Sequence, residues 1–271
     1  MVKAVVSGAL GRMGTRLVVL IKLDPETECI GGIDKTRGIF NEIEVFDNPK
    51  NIISLADVVI DFSSPEFTPV LARQCQECGK ALVSGTTGIP AAGIAVMKEC
   101  AEDIPILYTP NMSLGVNLLF YLTEITTQIL KDDFDIEIME IHHHHKKDAP
   151  SGTAKRLGEI ISRVKNQDYE KTVITGRNGN IGERTKEELG ILAFRGGNVV
   201  GEHNVMYFGS TERLELVHKA TSRDTFVYGA IKAAKYIAGR DPGWYSMADV
   251  LGLSIKPVSY THLTLPTKRI V

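Results

Sequence analysis

The densest run of groups able to move protons or hold an anion is His142-His143-His144-His145-Lys146-Lys147-Asp148-Ala149-Pro150-Ser151-Gly152-Thr153. It leaves a strand-like stretch, Phe134 to Ile141, and enters a helical one that starts near Ala154 and runs to Val164. Imidazoles exchange protons near neutral pH, the lysines bring positive charge, and free N–H groups at a helix start bind anions. A carboxylate substrate suits that set. Two other readings stand beside it: a solvated basic loop, and a metal site made of imidazoles. Successive side chains on a strand alternate sides, so adjacent histidines cannot all face one ion, and no carboxylate or cysteine shows ligand spacing to them. No metal is expected.

A second chemical signal is Gly8-Ala9-Leu10-Gly11-Arg12-Met13-Gly14, between the apolar run 2–6 and a helix-like stretch from Arg12 to Leu23. Backbone N–H groups there can meet a pyrophosphate where the helix dipole is positive. The Gly-x-x-Gly-x-x-Gly spacing is one residue off the usual dinucleotide fingerprint, and such a turn can also serve strand-to-helix packing alone. Asp34, about 20 residues further on, strengthens the ligand reading, because a carboxylate at that strand end accepts bonds from ribose hydroxyls. Lys35 beside it could instead pair with a 2′-phosphate. Gly85-Thr86-Thr87-Gly88 and Thr109-Pro110-Asn111-Met112 follow two later strands, and either could be a plain turn or hold a nicotinamide. Cys75-Gln76-Glu77-Cys78 lacks a second pair and lies in a helix expected over Glu66 to Glu77, so it reads as ordinary half-buried cysteines. Glu202-His203 and His218-Lys219, inside strand-like runs, read as structural.

The elements that must position these groups fall into two patterns. Short apolar runs at 2–6, Cys29 to Ile33, Ala56 to Ile60, Ala81 to Val83 and Ile104 to Leu107 alternate with helix-like sequence. That alternation predicts a parallel α/β sheet. After about residue 112 it stops. Met112 to Ile129 reads as a long helix, and Ile191 to Tyr207 and Arg213 to Lys219 as long strands joined by turns, which suggests a second domain with a mixed or antiparallel sheet. Thr225 to Ala238 is helical and fits either domain.

Bulk composition narrows the function. The 271 residues carry 31 Lys+Arg against 33 Asp+Glu, a formal charge of -2, with 43% hydrophobic residues. There is no cationic surplus for nucleic acid or an anionic membrane, and no apolar run approaches the ~18 residues of a membrane helix. A soluble protein without a signal peptide is expected. Four cysteines point to a reducing, cytoplasmic compartment.

Taken together, these residues resemble one family closely. Gly8-x-x-Gly11-Arg12-Met13-Gly14, Asp61-Phe62-Ser63-x-Pro65-Glu66, Gly85-Thr86-Thr87-Gly88 and Asn111-Met112-Ser113-x-Gly115-Val116-Asn117 are similar to the 4-hydroxy-tetrahydrodipicolinate (dihydrodipicolinate) reductase family. Its most specific match is Glu140-x-His142-His143-x-x-Lys146-x-Asp148-Ala149-Pro150-Ser151-Gly152-Thr153, followed by Arg195-x-Gly197, Gly201-x-His203 and His218-Lys219-Ala220. The resemblance implies NAD(P)H-dependent reduction of 4-hydroxy-tetrahydrodipicolinate to tetrahydrodipicolinate with loss of water, in lysine and diaminopimelate biosynthesis. It implies a Rossmann-type dinucleotide-binding domain (1–111 and 220–253) around an inserted α+β substrate and tetramerisation domain (112–219), with hinges near 111 and 220.

By the same resemblance, Gly8, Ala9, Leu10, Gly11, Arg12 and Met13 hold the cofactor phosphates and Asp34 the ribose, while Gly85, Thr86, Thr87, Thr109, Pro110, Asn111 and Met112 hold the nicotinamide side. His143, Gly152 and Thr153 bind a dicarboxylate substrate, His142 acts as acid/base, and Lys146 donates the proton that completes reduction. Asp34 favours NADH and Lys35 favours NADPH, so use of both is expected. A nucleotide sensor and an amino-acid dehydrogenase on the same scaffold are rival readings, which His142, Lys146 and Ser151-Gly152-Thr153 argue against. The stretch 254–271 does not match the family and is expected to be a non-native tail. It carries Lys256, Lys268 and Arg269 and no acid, so the preceding body is more acidic than the whole chain.

Overall fold

The computed structural model describes residues 1–253, and the expectation for 254–271 lies outside the described residues. In chain order come β1 (Val2–Ser7), α1 (Arg12–Ile21), β2 (Thr27–Ile33), β3 (Gly38–Phe40), β4 (Ile43–Phe46), β5 (Val58–Asp61), α2 (Phe67–Cys78), β6 (Ala81–Ser84), α3 (Ala91–Cys100) and β7 (Pro105–Tyr108). There follow α4 (Leu114–Leu130), β8 (Asp135–His142), α5 (Gly152–Val164), α6 (Tyr169–Thr172), β9 (Val173–Ile174), β10 (Leu189–Arg195), β11 (Gly201–Phe208), β12 (Arg213–Ala220), α7 (Asp224–Ile237), β13 (Gly243–Tyr245) and α8 (Met247–Leu251).

The first sheet has the order β13-β7-β6-β5-β1-β2-β4-β3. Its pairs are parallel except β3 with β4, a short edge hairpin absent from the sequence reading. The inner strands β5, β6 and β7 are buried almost end to end because helices cover both faces. On one face α1 and α7 bury Leu17, Val18, Ile231 and Ile237 against Val6, Ile60 and Val83. On the other, α2 and α3 bury Leu71, Cys75, Met97 and Cys100 against Val5, Val59 and Leu82. Each fully buried Leu or Ile contributes about 1.5–3 kcal/mol. The helix of uncertain allegiance, α7, thus packs on the first sheet, although the second sheet precedes it in the chain. The strand order reverses between β1 and β5, the position where open α/β sheets bind ligands beyond their strand ends.

The second sheet, β12-β11-β8-β10-β9, is mixed. The continuous strand expected over Ile191 to Tyr207 is in fact two strands. Gly197, at φ +52°, turns the chain across the end of β8, so β10 runs parallel to β8 on one side and β11 antiparallel on the other. Helices α4 and α5 cover one face, burying Leu119, Leu157 and Ile161 against Ile136, Ile138, Ile191, Val205 and Tyr207. Burial alternates strictly along β8, and its inward positions read Ile136, Ile138, Glu140, His142. A buried carboxylate must be paired or hydrogen-bonded. The strand that begins as a core element therefore ends as a polar site.

Candidate active site

At the carboxyl edge of the first sheet the glycine turn is tightly built. Gly8 lies at φ +74°, and a Cβ there would stand 2.6 Å from the Phe62 carbonyl oxygen, while one on Gly14 would stand 2.0 Å from the Gly8 oxygen. Most amides of the turn serve the fold: Gly8 and Ala9 N–H donate to the Ile33 oxygen, Gly11 N–H to the Gly8 oxygen, and Leu10 N–H to Asp34 Oδ2 at 2.8 Å. The Arg12 and Met13 amides at the start of α1 have no partner among the described residues, and no side chain caps that end. Donors with no partner at a helix start fit a pyrophosphate. Asp34 stands at the end of β2, its other oxygen accepting from Lys35 N–H. Lys35 is exposed.

The next strand ends are locked together by Asp61, which is fully buried. Its carboxyl group accepts from Ser63 N–H and Oγ, from Thr68 Oγ1 at 2.6 Å, from Ser84 Oγ at 3.0 Å and from Thr86 Oγ1 at 2.9 Å. The Phe62 ring presses on Gly85, where a Cβ would stand 2.5 Å away. The Thr86 hydroxyl expected at the nicotinamide thus points inward, and exposed Thr87 is the side chain of that loop which faces the cavity. Thr109 bonds to the Asn111 backbone, and Asn111 Nδ2 donates to Thr153 Oγ1 at 3.2 Å, linking the two halves of the chain. Met112 differs from expectation. Its side chain is buried in the core and its carbonyl is covered by Gly229, so it does not line the cavity.

The histidine loop is organised by Glu140, which lies two residues before His142 on the same face of β8 and is fully buried. Its Oε1 accepts from Ser151 N–H at 3.0 Å and from Arg195 Nη2 at 2.9 Å, and its Oε2 lies against His142 Nδ1. Burial acts to raise the Glu140 carboxyl, but His142, Arg195 and the Ser151 amide overcome it and bring it down to about 2. His203 packs edge-on to His142 and bonds Ser151 Oγ at 3.2 Å. Burial, then the neighbouring His142, pushes His203 down to about 3, so it is neutral at physiological pH. Glu140, His142 and His203 bring potential ligand atoms within 4.8 Å of one another, so a carboxylate with ligand spacing does exist and the spacing argument missed it. Arg195 already holds that carboxylate, however, and a further cation would meet its guanidinium. We read the trio as a proton-handling group.

Beyond β8, His143 lines the cavity and is held below the ordinary imidazole range by loss of solvent and by Arg223. The Lys146 ammonium is paired with Asp148 at 2.8 Å. Helix α5 begins at Gly152, two residues before the expected Ala154, with Ser151 as its cap accepting from Ala154 N–H. The Gly152 and Thr153 amides have no partner among the described residues, and a Cβ on Gly152 would meet nothing within 4 Å.

One cavity of about 1010 Å³ gathers Thr87, Thr109, Pro110 and Asn111 from the first sheet with His142, His143, Lys146, Gly152 and Thr153 from the second. The glycine turn and Asp34 lie outside it, further along the same sheet edge. Arg223, next to α7, also lines it and went unread in the sequence, where a lone arginine before a helix carries no signal. Glu140, Arg195 and His203 were seen only as pattern. The period of two along β8 could have placed Glu140 beside His142, but Arg195 and His203 come from strands whose pairing is non-local.

Residues 2–112 match the family description "Dihydrodipicolinate reductase, N-terminus", and residues 115–251 match "Dihydrodipicolinate reductase, C-terminus". The chain is 46% identical over 267 residues to the 4-hydroxy-tetrahydrodipicolinate reductase of Aquifex aeolicus, spanning 93% of this chain and 99% of that protein. To the enzyme of the same name from Geotalea daltonii it is 41% identical over 266 residues, spanning 93% and 100%. The dipicolinate-bound dihydrodipicolinate reductase from Paenisporosarcina sp. TG-14 shares the fold, with a TM-score of 0.76 at 20% identity over 92% and 98% of the two chains. Matched in both its halves, with its glycine turn, buried Glu140 and open α5 amides in one fold, the chain belongs to the dihydrodipicolinate reductase family.

Proposed function

We propose that the chain reduces 4-hydroxy-tetrahydrodipicolinate to tetrahydrodipicolinate with loss of water, using NADH or NADPH, as a step of lysine and diaminopimelate biosynthesis. The observation that carries this reading is the shared cavity, in which two helix-start amides without a partner among the described residues, two imidazoles and an ammonium face the loops that end the parallel strands. When bound, the reduced nicotinamide supplies a hydride. Gly8 to Met13 hold the phosphates, with the Arg12 and Met13 amides as donors and the other residues shaping the turn. Asp34 and Lys35 take the adenosine ribose, and Gly85 to Thr87 and Thr109 to Asn111 flank the nicotinamide.

The Gly152 and Thr153 amides grip one substrate carboxylate, each charge-assisted bond contributing about 1.5–3 kcal/mol. His143 adds a further contact. Hydride addition to a conjugated imine builds negative charge, which Lys146 quenches by giving up a proton, while His142 acts as acid/base. Asp148 holds the Lys146 ammonium in place until substrate arrives. Closure of residues 1–111 with 220–253 against 112–219, about hinges near 111 and 220, would exclude water.

The face of the second sheet not covered by α4 and α5 carries Phe194 and Val217, each about half exposed, in register with Met139, Ile141 and Met206. That uncovered face, apolar at these positions and polar at Glu137, Asn204 and Glu215, supports assembly of copies through this sheet, as a homotetramer. A cytoplasmic site of action accords with four free cysteines. Among the described residues no helix is long and apolar enough to cross a membrane.

Titration with dipicolinate, a planar dicarboxylate, tests the substrate site. Gly152→Pro removes one donor at a position where helices tolerate proline, and Ser151 already has the extended backbone that a following proline requires. Affinity should fall about ten- to a hundredfold, the equivalent of one charge-assisted bond. Unchanged affinity would contradict the assignment.

A further inference from the structure

Glu140 has no assigned part in the reaction proposed above, yet it ties together three elements that build the substrate side. Its Oε2 lies against His142 Nδ1, and its Oε1 accepts from the Ser151 amide at the start of α5 and from Arg195. Arg195 in turn donates to the Asp148 carbonyl at 2.7 Å, which fixes the loop carrying Lys146. His142 Nδ1 is sealed from solvent against this carboxylate, and only about a tenth of the His142 side chain is exposed. Its other nitrogen, Nε2, lies beside Gly201, where a Cβ would stand 3.0 Å away, so a glycine leaves that edge of the ring open.

We propose that Glu140 is a positioning residue that keeps the Nδ1 proton of His142 on its own side and so makes Nε2 the nitrogen that exchanges a proton with the substrate. The chemistry follows from hydrogen-bond roles. A carboxylate only accepts, so the facing Nδ1 must donate and neutral His142 keeps a lone pair on Nε2. Neutral His203, edge-on to His142, adds no charge that would oppose this arrangement.

The inference rests on the acid/base role of His142, and Glu140→Gln separates the two. The glutamine carbonyl would still accept from Ser151 N–H and Arg195, which directs its NH₂ at His142 Nδ1. That forces the proton to Nε2, the wrong tautomer for a base. In other enzymes this exchange lowers kcat by up to about 10⁴-fold with geometry intact. Nitrogen NMR of histidine-labelled enzyme, at a pH where the ring is neutral, should show Nδ1–H in the wild type and Nε2–H in Glu140→Gln. The variant should bind dipicolinate within about threefold of wild type, while its kcat falls at least a hundredfold with little change in KM. A wild-type His142 protonated on Nε2 would overturn the proposal even if the variant failed to fold. So would a folded variant with near-normal kcat. Full turnover by His142→Gln would instead remove the acid/base role itself, leaving the tautomer measurement to decide what Glu140 does.

Discussion

Removing the Asp61 carboxyl group should loosen the nicotinamide side of the site specifically. In Asp61→Ala, Ser84 and Thr86, both buried, lose their acceptor together with the half-buried Ser63, while Thr68 keeps a second acceptor in the Ser64 carbonyl at 3.1 Å. At about 1–3 kcal/mol for each orphaned buried group, Ser84 and Thr86 together lose about 4 kcal/mol, a large share of a typical 5–15. Asp61→Asn keeps the volume and one acceptor oxygen and should lose about half as much. Urea unfolding measures both, read as a shift of midpoint at constant slope. The functional consequence is local, because the glycine turn and Asp34 hold their own geometry through Ile33 and Leu10. Asp61→Asn should therefore bind NADH about tenfold more weakly but ADP-ribose within about twofold of wild type. Equal loss for both ligands, or unfolding within about 0.5 kcal/mol of wild type, would refute the reasoning.

Two further outcomes follow from the charges. Because Asp34 offers acceptors to free ribose hydroxyls and exposed Lys35 a cation to a 2′-phosphate, kcat/KM should differ less than about a thousandfold, or ~4 kcal/mol, between NADH and NADPH, and a steady-state comparison yielding a larger ratio excludes dual use. Acid should act in two ranges. His203, lowered to about 3 from 6.5, resists protonation only when folded, so stability falls as pH drops below about 6.5. Glu140, lowered to about 2 from 4.5, contributes about 3 kcal/mol above pH 4.5 that is lost as pH falls toward 2. Urea midpoints measured against pH should lose the upper range in His203→Gln and the lower in Glu140→Gln, and a wild-type profile flat from pH 6.5 to 3 would contradict both.

What the sequence made legible was local. Apolar runs ending in Asp34, Asp61 and Gly85 marked the parallel strands, the glycine turn marked the first strand-to-helix corner, and Ser151-Gly152-Thr153 marked a helix start. The β3–β4 hairpin left no such trace, because only Ile43 and Val45 are buried in it and Ile39 is exposed. Helix α3 buries only Met97 and Cys100, too few for a visible face. The division of residues 189–208 into strands on opposite sides of β8 depends on pairing partners far along the chain. For the same reason the acceptor role of Asp61 was hidden, since its four hydroxyl donors come from two loops, α2 and β6. The polar inward end of β8 was readable from its alternation, yet its meaning needed Arg195 and His203 from the two flanking strands.

The central claim is that the His142–Thr153 loop completes reduction of a dicarboxylate imine by proton donation from Lys146. It is tested most directly by following reduced nicotinamide absorbance with freshly generated 4-hydroxy-tetrahydrodipicolinate, for the wild type and for Lys146→Ala. The wild type should turn over with NADH and NADPH, and Lys146→Ala should lose about 10²–10⁴-fold in kcat, the range of a general acid, while still binding the dinucleotide. Absence of wild-type turnover, or full activity in Lys146→Ala, would contradict the account.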